Sequence, residues 1–308
     1  MPVSLTYQLS GKTESMTFLA RLKRLFTPPS GARGVDELAR RMETSSEKLR
    51  VAPVSYREFR IPKRGGGQRL ICAPEPELKA LQKKILRRVL GNLPAHVAAT
   101  GFEKGSSIVH NAACHIGAAV VVRLDVKDFF PSTQGKRVRD YFYRLGWNRE
   151  ASELLTRLCT HGDALPAGAP TSPRLSNLVN YRLDLRLTAL ADRKGAIYTR
   201  YADDLTFSLA NDRNGVARQL VHQTKRIARE FGYAIHERRK LRIRRHHQQQ
   251  LVTGLVVNEK VNVSRSRRRW LRAVEHRIRT GRRASLTPEQ LSGWQALLEM
   301  IETQRPAT

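Results

Sequence analysis

The chain has 308 residues, of which 40% are hydrophobic and 27% are charged. This length and composition predict a globular protein of one large domain or two to three subdomains, with a substantial core. The 56 Lys and Arg residues outnumber the 27 Asp and Glu residues, giving a formal net charge of +29. Because such an excess is tolerated best beside a polyanion, it predicts a nucleic-acid partner, bound either by an enzyme or by a non-enzymatic RNA-binding protein.

Cysteine spacing and apolar runs argue against several other classes. Cys72, Cys114 and Cys159 form no CxxC pair, so the sequence predicts neither a zinc site nor a disulfide framework, and a reducing cytoplasm fits. No apolar run approaches the roughly 18 residues of a membrane span, so no membrane partner is expected. The basic, amphipathic stretch 16–26 is compatible with a membrane surface, but packing on the protein or contact with nucleic acid is favoured.

The first third of the chain predicts helices around a β-hairpin. The predicted elements, in order, are a short helix over Val35–Leu49, strands over Tyr56–Ile61 and Gln68–Cys72 joined by a glycine-rich turn at Arg64–Gly67, and a helix from Pro76 to Val89.

The remainder predicts an antiparallel sheet with helices on one face. The run Ala118–Leu124 is continuously apolar and β-branched, the pattern of a buried strand, and it places Asp125 at its end. The further predicted elements are a helix past Pro131, a helix over Pro170–Ala191, a strand pair around Asp203, a helix over Arg218–Phe231, a hairpin turning at Asn258–Lys260 and a basic helix over Ser264–Arg283.

Two adjacent carboxylates, Asp203 and Asp204, interrupt the strand-like stretch YTRYADDLTFS. Aspartate favours turns, so one interpretation is a solvated hairpin tip. The alternative is that a neighbouring strand brings Asp125 opposite Asp203, where the like charges would be costly unless divalent cations neutralised them. Carboxylates suit Mg²⁺, and two such ions can serve phosphoryl transfer, so the acids indicate a polymerase or a nuclease as the sharper hypothesis.

Several motifs, taken in order, resemble those of reverse transcriptases. YADD at 201–204 and LDVKDFF at 124–130 resemble the two metal-binding motifs of that family. Further matches are IPKRGGGQRLICAP at 61–74, LPAGAPTSPRLSN at 165–177, Lys240, and LVTGLVVN at 251–258. NAACH at 111–115 and VTG at 252–254 are similar to elements typical of the retron type. The resemblance covers roughly residues 50 to 280.

The resemblance implies an α+β fold: a right-hand polymerase with fingers, an antiparallel-sheet palm and a small helical thumb. On this pattern, residues 1–50 are an N-terminal helical extension, 51–117 form the fingers, with 131–165 partly returning to them, 118–263 form the palm, and 264–308 form a basic thumb.

The resemblance also implies catalytic roles. Asp125, Asp203 and Asp204 would be catalytic and, with the backbone carbonyl of Val126, would bind two Mg²⁺ ions, with Mn²⁺ as an alternative. Asp203 is expected as the first ligand and Asp204 as the supporting acid. Attack of a primer hydroxyl on the α-phosphate of a dNTP then needs positioning and charge neutralisation rather than a protein nucleophile.

The dNTP-binding residues implied by the resemblance are Lys63, Arg69, Phe130, Gly168 and Lys240. Either Lys63 or Arg64, together with Arg69, matches cations that clamp the triphosphate. Phe130 matches the ring that blocks a 2′-hydroxyl. Lys240 would either protonate the pyrophosphate leaving group or contact a backbone phosphate. Ala167 replaces the usual glutamine of LPQG, which predicts a retuned nucleotide pocket with altered fidelity and dNTP affinity.

The retron-like elements and the basic tail are assigned to RNA binding. Arginine forks suit phosphate, while the indole of Trp270 either stacks on RNA or packs on the protein. The residues concerned are Asn111, His115, Val252, Thr253, Gly254, Arg265, Arg268, Arg269, Trp270 and Arg272.

The retron type implies a set of partners. These are a structured noncoding RNA that serves as template and primer, its branched RNA-linked DNA product, dNTPs, host RNase H for template removal, and a separate effector protein in anti-phage defence. Two alternatives are another bacterial reverse transcriptase class, such as the group II intron or diversity-generating type, and a catalytically silent RNA-binding scaffold. The NAACH and VTG elements argue against the first, and the intact acids argue against the second.

Overall fold

The fold is seen in a computed structural model that describes residues 32–63, 66–212, 215–237 and 241–306. Lys240, Arg64 and the amphipathic stretch 16–26 lie outside the described residues. The chain divides into two compact units. The hairpin unit comprises Met1–Leu93 and Thr133–Leu175, and the sheet unit comprises Pro94–Ser132 and Ser176–Thr308.

Helices and strands alternate irregularly along the chain. The described helices are α1 (Val35–Met42), α2 (Ser46–Val51), α3 (Pro76–Ile85), α4 (Ile108–Ala113), α5 (Gly135–Arg144), α6 (Arg149–Cys159), α7 (Ser172–Val179), α8 (Tyr181–Arg193), α9 (Val216–Glu230), α10 (Arg265–Arg279) and α11 (Pro288–Gln304), and a π-helical turn, Leu86–Leu90, follows α3. The strands are β1 (Tyr56–Pro62), β2 (Gln68–Pro74), β3 (Val120–Asp125), β4 (Ala196–Tyr201), β5 (Asp204–Leu209), β6 (Arg242–Arg245), β7 (Leu251–Val252) and β8 (Leu255–Val256).

The largest sheet has the strand order β4-β5-β3-β6, and all neighbouring strands in it are antiparallel. The predicted apolar strand is β3, which lies between β5 and β6. The edge strand β6 was not predicted, because three of its four residues are arginines and only Ile243 packs against the core. The α+β class with an antiparallel sheet therefore agrees with the sequence expectation.

The two faces of this sheet are both covered, whereas helices were predicted on one face only. On the helix face, Val122, Leu124 and Phe207 pack in a core cluster with residues of α8 and α9. On the opposite face, which we call the acid face, Val121 packs in a second cluster with residues of α4, β7, β8 and α11. The sequence did not predict that elements pack on the acid face, because α4, β7 and β8 are too short to show a clear period.

Two predicted helices are each divided. The first becomes α1 and α2, because Glu43 adopts a left-handed backbone with φ 49° and the Ser45 side chain then caps α2. The second becomes α7 and α8, divided at Asn180, whose side-chain amide donates a 2.8 Å hydrogen bond to the Ser176 carbonyl. Side chains of this type compete with helix continuation.

The C-terminal part differs from its prediction in two places. The hairpin turns at Thr253 and Gly254, both with positive φ, which is the type I′ pattern for a two-residue loop. Helix α11 was not predicted, although Thr287 and Gln290 form a capping box and Pro288 occupies its first turn. The capping box and the proline are local sequence signals for the start of a helix.

The two units divide the chain differently from the predicted domains. Residues 94–117 were expected with the fingers hairpin, but they belong to the sheet unit, because α4 packs on the sheet. Residues 133–175 belong to the hairpin unit. Within the described ranges, no helix is both long enough and apolar enough to span a membrane.

Candidate active site

The predicted acids lie at the ends of two paired strands. Asp125 is the last residue of β3, and it faces Asp204, the first residue of β5. Facing residues of antiparallel strands have Cα atoms about 4.5 to 5.5 Å apart and point to the same side of the sheet. Asp125 was expected opposite Asp203, so the register differs by one residue. Asp203 instead lies in the turn, where its carbonyl accepts a 2.9 Å hydrogen bond from the Val126 amide.

The turn between β4 and β5 has an unusual backbone. Ala202 has φ 57°, a left-handed value, whereas Asp203 does not have a positive φ. A two-residue turn of this kind corresponds to type II′, in which the first position favours glycine. A non-glycine residue there is strained, and such strain is typical of functional sites. Gly101 allows the close packing, since a Cβ at Gly101 would lie 2.9 Å from the Ala202 nitrogen.

A buried ion pair holds this turn from the helix face. Arg200 and Asp184 are fully buried, and the guanidinium donates to both carboxylate oxygens of Asp184, at 2.8 and 2.6 Å. It also donates to Asn177 Oδ1 at 3.0 Å and to the Ala202 carbonyl at 3.3 Å. Arg200 lies within the quoted stretch YTRYADDLTFS, but sequence reasoning gave it no role because nothing local identifies Asp184 as its partner.

The protonation states of Arg200 and Tyr198 follow from their surroundings. Burial alone would lower the pKa of Arg200, but the adjacent Asp184 carboxylate raises it above its ordinary value. Tyr198 donates a 3.0 Å hydrogen bond to Asp184, and its pKa is raised by burial and by the same carboxylate. Arg200 therefore stays cationic and Tyr198 stays neutral at physiological pH.

Two further residues contact the acids. Arg123, two residues before Asp125 on β3, donates a 2.9 Å hydrogen bond to Asp204 Oδ2. His236 Nε2 lies 3.5 Å from Asp125 Oδ1, and the His236 amide donates to the Asp125 carbonyl. Neither residue was predicted. The Arg123 guanidinium thus already offsets part of the like-charge repulsion between Asp125 and Asp204.

The donor set fits a hard divalent cation. Val126 directs its amide toward Asp203, and in an extended chain the carbonyl of the same residue points to the same side as the amide. Asp125, Asp203 and Asp204 add carboxylate oxygens, with neither sulfur nor imidazole required. All-oxygen donors are the type that Mg²⁺ and Mn²⁺ favour.

The aromatic residue assigned to sugar selection lies close to the acids in sequence and within the same unit. Phe130 is half-buried, with its ring 6.2 Å from that of Phe102 and 5.6 Å from that of Phe129. Asp128 has φ 46°, and its carbonyl accepts from the Ser132 amide at 2.8 Å. The local turn therefore accounts for Asp128 without a catalytic role.

The residues of the hairpin unit that were predicted to bind the nucleotide lie on the β1–β2 hairpin and at Gly168. Arg69 is exposed on β2, and Lys63 is exposed just after β1, where its amide donates to the Gly67 carbonyl. Gly168 has φ 130°, and a Cβ there would lie 2.9 Å from the Cys72 carbonyl oxygen. Only glycine fits this position without a backbone shift.

The asparagine and the histidine of the NAACH element lie inside the protein, whereas Cys114 between them is exposed. His115 is 1% exposed, and its two ring nitrogens lie 2.7 Å from Ser208 Oγ and 2.8 Å from Thr199 Oγ1. The imidazole thus joins β4 and β5 on the acid face, and burial lowers its pKa to about 3. Asn111 is equally buried and accepts a 2.7 Å hydrogen bond from Thr100. Direct RNA contact, which was predicted for both, conflicts with this burial.

The VTG element packs against NAACH. Val252 is fully buried, and Thr253 Oγ1 donates a 2.9 Å hydrogen bond to the Ile108 carbonyl at the start of α4. Gly254 is exposed at the tip of the turn. The two retron-like elements together therefore support the acid face, and Val252, also predicted to bind RNA, has a packing role instead.

The basic tail forms one exposed helix face. Arg265, Arg268, Arg269 and Arg272 are exposed on α10. Trp270 is half-buried and packs edge-to-face on Trp294 of α11, 6.1 Å between ring centroids, so packing on the protein accounts for its ring. Arginines and apolar side chains of the two helices line a groove of about 420 Å³.

Comparison with known proteins identifies the family. A family described as reverse transcriptase (RNA-dependent DNA polymerase) matches residues 61–255. The chain belongs to this family. Membership implies a right-hand polymerase fold and the use of divalent metal ions in general.

Curated relatives specify the type. The retron Ec86 reverse transcriptase of Escherichia coli is 36% identical over 292 residues, which cover 92% of this chain and 89% of that protein. The retron Mx162 and Mx65 reverse transcriptases of Myxococcus xanthus are 39% and 38% identical, over 80% and 81% of this chain. The matched parts cover 58% and 62% of those two proteins. The chain is thus an RNA-directed DNA polymerase of retron type.

Proposed function

We propose that Asp125, Asp203 and Asp204 form the catalytic centre of this reverse transcriptase and, with the Val126 carbonyl, hold two Mg²⁺ ions, with Mn²⁺ as an alternative. The observation that carries the proposal is the facing pair Asp125 and Asp204, with Asp203 in the strained turn beside them. Bound there, the ions would neutralise phosphate charge and activate the attacking hydroxyl.

The protein's own contribution is positioning. Arg200 holds the Ala202 carbonyl and so fixes the turn that presents Asp203. Arg123 binds Asp204, which suits Asp204 as the supporting acid and leaves the role of first ligand to Asp203. Because these contacts form before substrate arrives, little reorganisation is needed during the reaction.

The predicted nucleotide-binding residues have separate proposed roles. Lys63 and Arg69 would bind the triphosphate, and Gly168 would let backbone approach the incoming nucleotide. Phe130 would exclude a 2′-hydroxyl by steric contact, which selects dNTPs. Lys240 keeps its proposed role at the pyrophosphate or at a backbone phosphate. In polymerase terms, the hairpin unit would supply the fingers, and the sheet unit would supply the palm and, in α10 and α11, the thumb.

A structured RNA is the proposed template and primer. The exposed arginines of α10 suit phosphate contacts along such an RNA. Gly254 and Thr253 at the VTG turn stay candidates for RNA contact, whereas Asn111, His115 and Val252 would act by holding α4 and the turn in place. Trp270 would position α10 rather than stack on a base.

The proposed product is single-stranded DNA joined to RNA through a branched 2′ linkage. By similarity to the retron type, host RNase H would remove the copied template, and a separate effector protein would act with the complex in cytoplasmic anti-phage defence.

The test uses the full chain purified with its bound nucleic acid, supplied with Mg²⁺ and dNTPs. We expect a DNA strand to grow covalently attached to RNA, through a bond that a debranching enzyme cleaves. Extension of an added primer alone would contradict self-priming on the bound RNA. Undiminished synthesis by Asp203→Asn would overturn the proposed catalytic centre.

A further inference from the structure

Three side chains with metal-binding atoms converge within the hairpin unit. Glu58 in β1 and Cys72 in β2 are direct cross-strand partners, and His161 lies two residues beyond the end of α6. One ligand atom from each residue lies within 4.8 Å of the other two. No catalytic or nucleotide-binding role described above uses Glu58 or His161.

The distances are close to those of a tetrahedral metal site. His161 Nε2 lies 2.8 Å from Glu58 Oε1, and Cys72 Sγ lies 3.9 Å from the same oxygen. Ligand atoms around a tetrahedral Zn²⁺ lie about 3.3 to 3.8 Å apart, given its bond lengths to nitrogen, oxygen and sulfur. Small side-chain rotations would bring the three atoms to that spacing.

The surroundings restrict how these side chains move. The His161 ring packs on the Tyr56 ring at 4.5 Å between centroids, and the Tyr56 hydroxyl accepts a 2.8 Å hydrogen bond from Gln82. Cys72 is buried and lies in a paired strand, while Glu58 and His161 retain access to solvent. A metal ion can therefore reach the three donors from solvent, and small side-chain rotations complete the site.

We propose that Glu58, Cys72 and His161 bind one Zn²⁺ ion, with water as the fourth ligand. A thiolate, an imidazole and a carboxylate form a donor set typical of zinc, whereas Mg²⁺ selects oxygen donors. Zinc binding forms an S–Zn bond in place of the Cys72 S–H bond and releases that proton to solvent. The +2 charge of the ion then balances the thiolate and the Glu58 carboxylate. Cysteine spacing alone predicted no zinc site, because the ligands come from three separate segments.

The site is coupled to the segment that carries Gly168. The Cys72 amide donates a 2.8 Å hydrogen bond to the Ala167 carbonyl, and the Cys72 carbonyl closely approaches Gly168. A metal at Cys72 would thus brace β2 against the 165–168 segment. Any effect of this on dNTP binding rests on the proposed function, but the zinc site itself does not.

Metal content of the full chain tests the site directly. The protein is stripped with a chelator, incubated with Zn²⁺ in excess Mg²⁺, desalted, and analysed for zinc by mass spectrometry. We expect one more equivalent of zinc in the unmodified chain than in Cys72→Ser or in His161→Gln. Cys114→Ser and His110→Gln are matched controls, since they remove an exposed thiol and an exposed imidazole elsewhere and should retain the full zinc content. Equal zinc in the unmodified chain and in Cys72→Ser would overturn the proposal.

Cobalt provides a second readout that does not depend on polymerase activity. Co²⁺ bound to a thiolate has a charge-transfer absorption, which we expect in the unmodified chain and in Cys114→Ser but not in Cys72→Ser. Circular dichroism establishes whether each variant is folded. If Cys72→Ser is not folded, His161→Gln, which lies outside the hairpin strands, is used in its place. Absence of the band in the unmodified chain would refute zinc binding while leaving the proposed catalytic centre untouched.

Discussion

The sheet unit and the hairpin unit both contain antiparallel strands, yet the strands are supported differently. In the sheet unit, β3 contributes to apolar clusters on both faces, and β5 is buried along almost its whole length. In the hairpin unit, nearly every residue of β1 is exposed, and so is the first half of β2. Even Phe59, Ile61 and Leu70 of this hairpin are exposed.

This difference in how the strands are supported corresponds to different tasks of the two units. The acids are attached to a sheet whose geometry depends on core packing and buried hydrogen bonds, so it needs no ligand to form. The cations of the hairpin lie on a strand pair that makes few buried contacts. Segments of this type have low local stability. Variants of the sheet unit should therefore affect chemistry and global stability, and variants of the exposed hairpin cations should affect substrate binding without a loss of global stability.

The largest effect is expected at Asp203. Asp203→Asn removes a charged ligand without changing side-chain size, and metal-based charge stabilisation worth several kcal/mol corresponds to a loss of about 10⁴-fold in kcat. Primer extension in Mg²⁺ measures it. Asp192→Asn, at an exposed position near the end of α8, is the matched control and should keep full activity. Comparable activity in the two variants would contradict the assignment.

The next largest effect is on stability, at the buried ion pair. Asp184→Ala leaves the Arg200 guanidinium buried without its carboxylate, which should lower the free energy of unfolding by about 3 to 5 kcal/mol. Urea denaturation measures this change. Glu230→Ala removes the exposed partner of Arg186 and should leave the urea midpoint nearly unchanged, since solvent screens that pair. Equal midpoints for the two variants would show that the pair does not organise the sheet unit.

A smaller effect is expected from pH at His115. Its pKa is about 3 when folded, because of burial, against about 6.5 when unfolded. Between these values the unfolded chain binds a proton that the folded chain does not, so stability is complete above about pH 6.5 and falls with decreasing pH. From pH 6.5 to 5 the loss is about 2 kcal/mol.

Urea denaturation at the two pH values tests this dependence. His115→Gln should show a shallower decrease in stability than the unmodified chain, because the titrating group is gone. His110→Gln, which removes an exposed imidazole, should retain the steeper decrease. An identical pH dependence in His115→Gln and the unmodified chain would mean that His115 is not held neutral in the folded protein.

The smallest effect is expected in the hairpin unit. Arg69→Ala should raise the KM for dNTP about tenfold, with the unfolding free energy unchanged, because it removes a charge-assisted contact from an exposed strand. Arg60→Ala is the matched control: Arg60 pairs with Leu70 and points to the other side of the hairpin from Arg69. A large stability loss in Arg69→Ala would remove the contrast between the two units.

Local pattern was sufficient for much of this molecule. The apolar run of β3, the helical spacing in α9 and the glycine-rich turn of the β1–β2 hairpin are all readable in short windows, because one period is set within each element. The motif order, together with Asp125 at a strand end and the adjacent acids Asp203 and Asp204, was enough to identify the reverse transcriptase type.

Contacts between distant segments were decided only by the tertiary structure. The pairing of Asp125 with Asp204 depends on strand register, and a shift of one residue is invisible in either strand alone. The Arg200–Asp184 pair and the burial of His115 depend on which side chains meet in the core. The proposed zinc ligands come from three separate segments of the hairpin unit. Periodicity specifies which face of an element is apolar, but long-range packing determines which other elements that face contacts.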